Sequence, residues 1–227
     1  SFAESTSAVS HDKEYKKIST LPFIIKNKVY SKKMKKYVDR IVTYSSDKEI
    51  YGIKTINISN GTDFKEIPIK KNPFNQNELT LVAVASFSNW HGYDRVIEGM
   101  KDYYSEDKDK FVVRLKLVGN GDEKIIEQYK QMIEEYDLSE YIEILGLKTG
   151  KELADIFEES DIALDSMGRH RANIFFNSSL KGKEYLARGL PIVSGVRTEL
   201  DSFIEYPYYI SVPPNDTPID IKGVVDF

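Results

Sequence analysis

In the stretch Ser178–Gly195, SSLKGKEYLARGLPIVSG, Lys181 and Glu184 stand three residues apart, and Arg188 follows Glu184 by four. The stretch reads as a helix stopped by Gly189 and Pro191 and followed by the β-branched pair Ile192-Val193, one helix-to-strand step of a parallel sheet. At the amino end of such a helix, free N–H groups and aligned peptide dipoles attract an anion. Lys181 adds a point charge suited to a phosphate, Glu184 is a bidentate acceptor suited to a pair of ribose hydroxyls, and Ser178 and Ser179 are small groups at that amino end. A plainer account of the same spacing is a surface ion pair between Glu184 and Arg188, worth ~0.3–0.5 kcal/mol.

Three other stretches carry groups able to do chemistry. The loop MGRHRANIFFNSS, residues 167–179, holds Arg169, His170 and Arg171 immediately before the helix. Basic groups feeding a helix amino terminus make a phosphate site, and a flexible basic loop is the alternative. Loops this long in compact domains are usually functional. The stretch SFSNWHGYD, residues 86–94, sets Trp90 and His91 beside Gly92, which lets a ligand approach the backbone. A satisfied histidine and a tryptophan that anchors its loop are the plainer readings. In GNGD, residues 119–122, Gly119 and Gly121 admit a phosphate or sugar near a helix amino end, or simply make a tight turn. The third glycine and the acidic partner of a dinucleotide fingerprint are missing, which sets nicotinamide and flavin chemistry aside.

These loops need a scaffold that brings them to one edge. From Leu79 onward apolar strands alternate with helical stretches, which predicts an α/β fold, a Rossmann-like doubly wound parallel sheet. The strands are TLVAVAS from Thr80, VVRLKLVG from Val112, YIEILG from Tyr141, DIALDS from Asp161 and PIVSG from Pro191, with YYISV from Tyr208 as a sixth. Helices start at Asp94, Glu123, Lys151 and within the Ser178 stretch; in the second, Ile125, Ile126, Tyr129, Met132, Ile133 and Tyr136 form one core-facing stripe. In such sheets every strand-to-helix loop opens onto the same edge, where ligands bind. Upstream, residues 13–37 read as helix broken near Pro22, and RIVTY from Arg40 and KTINIS from Lys54 as short strands. Residues 61–78 are polar and proline-punctuated, a linker between a unit at 1–60 and the domain at 79–227.

Composition narrows the class. With 227 residues, 41% of them apolar, the chain can bury one large core or two smaller ones. It has no cysteine, which excludes a disulfide framework, thiol catalysis and cysteine-based zinc, and agrees with a cytoplasmic location. No apolar run approaches ~18 residues, and the first ten lack a signal peptide's basic start and apolar centre. The start without Met and the end at Val224–Phe227 with no capping element lead us to expect a fragment. Residues 1–40 hold ten Lys or Arg against four Asp or Glu, a net of +6, so the chain's total of −4 leaves −10 for the rest. Lys26, Lys28, Lys32, Lys33, Lys35 and Lys36 cluster there, suited to an anionic membrane surface, or else a solvated helix face. No nucleic-acid motif accompanies them, so no nucleic-acid partner is expected.

Taken in order, NISNGTDF, LTLVAVASFSNWHGYDRVIEG, LKLVGNGD, YIEILG, KELADIFEESDIALDS and LKGKEYLARGLPIVSG resemble the donor half of GT-B glycosyltransferases of the retaining, family-4-like kind, across residues 40–212. The resemblance lies in the order of several short motifs. It implies a carboxyl-terminal domain that binds a nucleotide-diphosphate sugar, with Glu184 on the ribose, a glycan or lipid-linked acceptor, and transfer without a metal. Capsule and exopolysaccharide members carry a basic pair before a similar S-L-K-x-x-E-Y element, matched here by His170, Arg171 and Lys181. The family often places Arg and Lys in the first loop; Ser86 and His91 stand near those positions, and the first glutamate of the E-x7-E pair falls on Phe176. Those gaps shift the expected charge stabilisation to Lys181 and Arg171, because unneutralised phosphates in a cleft are costly. The resemblance also makes residues 13–60 the end of an acceptor domain, so this fragment alone is expected to be inactive. A non-catalytic partner subunit that binds nucleotide-sugar on the same fold is the alternative.

Overall fold

The computed structural model describes residues 34–44, 47–74, 77–106, 111–202 and 206–227. They divide into two compact units, one within residues 1–60 and the other spanning 61–227. The first contains strands β1 (Ile41–Thr43), β2 (Glu49–Ile50) and β3 (Ile53–Asn57). β3 pairs in parallel with β1 and antiparallel with β2. The two strands expected from RIVTY and KTINIS are β1 and β3. β2 was not expected; it pairs through a two-residue turn in which Tyr51 and Gly52 both have positive φ, 56° and 72°, a hairpin geometry that suits the twist of the strands. Most of the helix expected over 13–37, with Lys26, Lys28, Lys32 and Lys33, lies outside the described residues, whereas Lys35 and Lys36 are exposed.

The second unit is a six-stranded, all-parallel sheet in the order β6-β5-β4-β7-β8-β9. Its strands are β4 (Glu78–Val84), β5 (Val112–Val118), β6 (Ile142–Gly146), β7 (Ile162–Leu164), β8 (Ile192–Ser194) and β9 (Tyr209–Ser211). Helices α1 (Asp94–Glu106), α2 (Glu123–Glu135), α3 (Gly150–Glu158) and α4 (Leu180–Ala187) alternate with them, and α5 (Ile221–Val225) follows β9. The chain starts in the middle at β4, builds outward through β5 to β6, then crosses to build β7, β8 and β9 on the other side. The connections that follow β4 and β7 therefore lead toward opposite edges of the sheet, and that reversal is where such sheets hold ligands.

The sheet is covered on both faces, so β4 is apolar at nearly every position. Along it Leu81 and Ala83 face one core, shared with Ile162 and Leu164 of β7 and with Val96, Ile97, Tyr129 and Ile133 of α1 and α2. Val82, one residue out of phase, faces a second core with Ala163 of β7, Phe157 of α3 and Tyr185 of α4. The stripe read in α2 is this packing: Tyr129, Met132 and Ile133 are buried.

Two regions depart from expectation. Of residues 61–78, read as a linker, those described fall within the second unit, where Lys70 N–H donates to Arg188 O at 2.8 Å and Lys71 N–H to Glu158 Oε2 at 2.9 Å. The end expected to lack a capping element forms α5, with Ile221 and Val224 buried and Asp220 Oδ1 accepting from Gly223 N–H at 3.0 Å.

Candidate functional site

The loop after β4 begins with Phe87 buried in the core and closes in a short 3-10 turn, Asn89–His91, that ends at Gly92 with φ 65°. His91 Nδ1 accepts from Ser88 N–H at 3.1 Å, so the ring proton resides on Nε2 in the neutral form. The ring stacks on Tyr93 at 5.8 Å, with the 41% exposed Trp90 beside it at 6.1 Å. Burial, reinforced by Lys181 and Arg169, pushes the imidazole pKa down to about 3. His91 is thus an uncharged N–H donor at neutral pH.

Gly92 packs back to back with Gly168 of the loop after β7; a Cβ on Gly92 would sit 2.7 Å from Gly168 Cα. Met167 N–H donates to His91 O at 2.7 Å across the same contact. That close approach is what brings the β4 and β7 loops together, and it sets Arg169 near His91.

Arg169, His170 and Arg171 share a single 3-10 turn, Arg169–Ala172, whose three residues per turn aim them in different directions. Arg171 forks onto Asp94 at 2.9 and 2.6 Å, donates through Nε to Asp216 at 2.7 Å and reaches Asn89 O at 3.1 Å. The bonds to Asp94 and Asp216 raise its pKa against the effect of burial. His170 Nε2 meets the same Asp216 Oδ1 at 3.0 Å. These two residues, expected at the phosphates, instead tie the β7 loop to α1 and to the segment before α5. Arg169 remains: its Nε is buried and takes no hydrogen-bond partner, and burial holds its pKa below the usual arginine value while Asp165 opposes that shift.

α4 begins at Ser179, whose hydroxyl accepts from Gly182 N–H at 3.2 Å and donates to Asp165 Oδ1 at 3.1 Å. A serine in this cap position satisfies one of the four free N–H groups of the first turn. Lys181 turns inward to Asp165 Oδ1 at 3.3 Å and to the Tyr93 hydroxyl at 3.1 Å. Ser178 is buried one residue earlier and hydrogen-bonds Glu199, whose carboxyl burial pushes up and whose bonds to Ser178 and Lys183 bring below the usual range. Glu184, one turn into α4, pairs with Arg188 at 2.7 Å, the pairing that its spacing also allowed, and the Arg188 guanidinium lies 4.2 Å over the Phe157 ring.

Gly119 and Gly121 have φ of 134° and 145°, conformations that side chains rarely adopt. A Cβ on Gly119 would overlap Ala85 O, and one on Gly121 would overlap the Phe87 backbone. Both glycines let the β5 loop lie against the β4 loop, joined by Asp122 N–H donating to Phe87 O at 2.9 Å. Their neighbours in this structure are backbone.

The structure therefore gathers His91, Lys181 and Ser179 at one point and sends Arg171, His170 and Glu184 to other partners. Sequence reasoning overlooked Asp165 and Tyr93, which organise that point. An acid closing the apolar run of DIALDS at a strand's carboxyl end was the readable signal for Asp165.

A six-stranded parallel sheet whose strand order reverses between β4 and β7 defines an α/β domain of the Rossmann-like kind in general terms. The match is more specific: residues 64–202, more than half of the chain, fit the family of glycosyl transferases group 1, and the chain belongs to that family. Among solved structures it is similar to sucrose-phosphate synthase from Thermosynechococcus elongatus (TM-score 0.63, 16% identity, covering 94% of this chain and 53% of that one). It is also similar to HepE from Anabaena in complex with UDP-glucose (TM-score 0.54, 14% identity, 78% and 49%). Staphylococcus aureus TarM, in a complex containing UDP, shares the fold as well (TM-score 0.53, 18% identity, 76% and 31%). The fold is the Rossmann-like domain of GT-B glycosyltransferases, and the chain spans about half the length of these structures or less. Among curated proteins none matches the chain by sequence.

Proposed function

We propose that this chain carries the donor-binding half of a glycosyltransferase, which holds a nucleotide-diphosphate sugar at the carboxyl edge of the second unit's sheet. The sugar passes to a glycan or lipid-linked acceptor in polysaccharide synthesis of the capsule or exopolysaccharide type. The observation that carries this reading is the convergence of Lys181, Arg169 and the amino end of α4 on one point beside the N–H donor of His91. In the reaction the bond from the anomeric carbon to the β-phosphate oxygen breaks, its electron pair stays on the phosphate, and the acceptor hydroxyl forms the new bond as its proton passes to the departing phosphate oxygen. The departing diphosphate gains negative charge, so pre-placed cations and helix N–H groups lower the barrier. Lys181 and Arg169 take the role expected of Lys181 and Arg171. Glu184 exchanges Arg188 for the ribose hydroxyls, and retention of configuration and transfer without a metal follow from the family resemblance. We further place the protein in the cytoplasm, with the Lys26–Lys36 cluster meeting an anionic membrane.

Calorimetric titration with UDP and with inorganic pyrophosphate tests this. Lys181→Ala should weaken both by roughly tenfold or more, the scale of a charge-assisted phosphate contact, while Glu184→Ala should weaken UDP more than pyrophosphate. An unchanged dissociation constant in Lys181→Ala would sink the diphosphate site; equal losses in Glu184→Ala would remove the ribose contact. A second reading is favoured by the neutral His91, which leaves the first loop uncharged: a subunit that binds donor and leaves transfer to a partner. Turnover by the full-length protein alone distinguishes the two.

A further inference from the structure

We infer that Asp165 is a resident counter-anion of the diphosphate site, one that positions Lys181 and holds down the site's affinity so that the nucleoside diphosphate product can leave. The inference rests on the donor-binding reading above.

Asp165 lies just past the carboxyl end of β7 and is 1% exposed. Its Oδ1 takes both the Ser179 hydroxyl, at 3.1 Å, and the Lys181 ammonium, at 3.3 Å, while Oδ2 is buried and makes no hydrogen bond. A buried carboxylate with one oxygen idle is a poor stabilising device, since burying a charge is costly unless its hydrogen-bonding capacity is met. Holding Ser179 as a helix cap needs only an acceptor, which a neutral side chain supplies. The negative charge is what calls for explanation.

Its surroundings give one. Two cations surround Asp165: Lys181 by direct contact and Arg169 through the field that reaches it from this carboxylate. His91, pressed by the same two cations, contributes no charge. With Asp165 ionised the cluster carries a net single positive charge; without it the charge would be two. An incoming diphosphate competes with Asp165 for Lys181, and it meets the carboxylate's repulsion in a poorly screened setting. The ion pair also fixes the Lys181 ammonium between Asp165 and the Tyr93 hydroxyl before any ligand arrives, so less side-chain freedom is lost on binding. A transferase gains from such tempering, because interactions that hold the finished product as tightly as the transition state do not speed turnover.

Inorganic pyrophosphate, which needs no knowledge of the base, is the probe, with four forms of the chain: wild type, Asp165→Asn, Lys181→Ala and the double variant. Asp165→Asn keeps the acceptor for Ser179 and removes the charge. It should bind pyrophosphate about tenfold tighter, through slower dissociation. Lys181→Ala should bind more weakly than wild type, since Asp165 is then left unpaired, and adding Asp165→Asn to it should recover part of the loss. The direction is diagnostic, because a purely structural Asp165 would loosen the helix cap and weaken binding when replaced. Affinity of Asp165→Asn at or below wild type overturns the inference. Should that variant fail to fold, the comparison between Lys181→Ala and the double variant decides, and no recovery there overturns it equally. If Lys181→Ala leaves pyrophosphate binding intact, the donor-binding reading is what has failed.

Discussion

Replacing Arg171 by alanine separates a residue that ties loops together from one that touches phosphate. The guanidinium and the Asp94 carboxylate are each about one-sixth exposed, at 16% and 15%, and are joined by two bonds of 2.6 and 2.9 Å. Truncating one member of a buried pair costs about 3–5 kcal/mol, mainly because the partner's charge stays behind unpaired. Partial access to water at Asp94 argues for the lower end, about 3 kcal/mol. The bond to Asp216, whose side chain is 67% exposed, adds no more than ~0.5 kcal/mol. For a unit spanning residues 61–227 each kcal/mol lowers Tm by roughly 2–4 °C, so Arg171→Ala should melt about 6–12 °C below wild type. Urea denaturation followed by circular dichroism measures the loss. A double-mutant cycle with Asp94→Asn should return a coupling of about 2 kcal/mol, since the two residues share one contact. Pyrophosphate affinity should change far less than in Lys181→Ala. The reasoning is refuted if Arg171→Ala melts like wild type and loses pyrophosphate binding, which would return Arg171 to the phosphates.

Two further outcomes are expected. His91 has a folded pKa of about 3 against 6.5 in the unfolded chain, so the unfolded state binds a proton first and stability falls as pH drops below about 6.5. The loss reaches about 2 kcal/mol by pH 5, and His91→Gln should flatten that dependence in denaturation curves at pH 7 and pH 5; an unflattened curve would place the titration elsewhere. Gly119→Ala combines a forbidden φ of 134° with overlap onto Ala85 O, and should cost about 3 kcal/mol or more, read as a large drop in the urea midpoint.

The sheet was legible because each strand is an apolar run and each helix a separate stripe; all six strands of the second unit fall within two residues of where hydrophobic pattern and turn residues put them. What escaped were elements held by tertiary contact alone. β2 is two residues long, and α5, Ile-Lys-Gly-Val-Val, has a glycine at its centre and depends on burying Ile221 and Val224. The site was half legible. That basic groups would cluster before α4 follows from the sequence, but which of Arg169, His170 and Arg171 turns toward Asp165 depends on the phase of a 3-10 turn, and Asp94 and Asp216, 77 and 45 residues away, claim Arg171. Likewise a glycine that admits a ligand and one that admits another loop are identical in sequence; only the backbone of Phe87 against Gly121 tells them apart.

His91 and the basic pair are best understood as one arrangement. A histidine near Lys181 and Arg169 cannot hold a proton at neutral pH, because burial and two nearby positive charges all oppose it. A lysine in its place would face the same penalty, and its cost would fall on the folded state whenever the site is empty. With the charge carried on α4 and on the β7 loop, where Asp165 balances it, the β4 loop needs to supply only a neutral N–H. In the donor-binding reading, a diphosphate bound beside Lys181 changes the sign of the local field and shrinks the penalty on protonating His91. Asp165 and His91 thus act in one direction: the first cancels a charge and the second withholds one, so the empty site carries less positive charge than its count of basic residues implies.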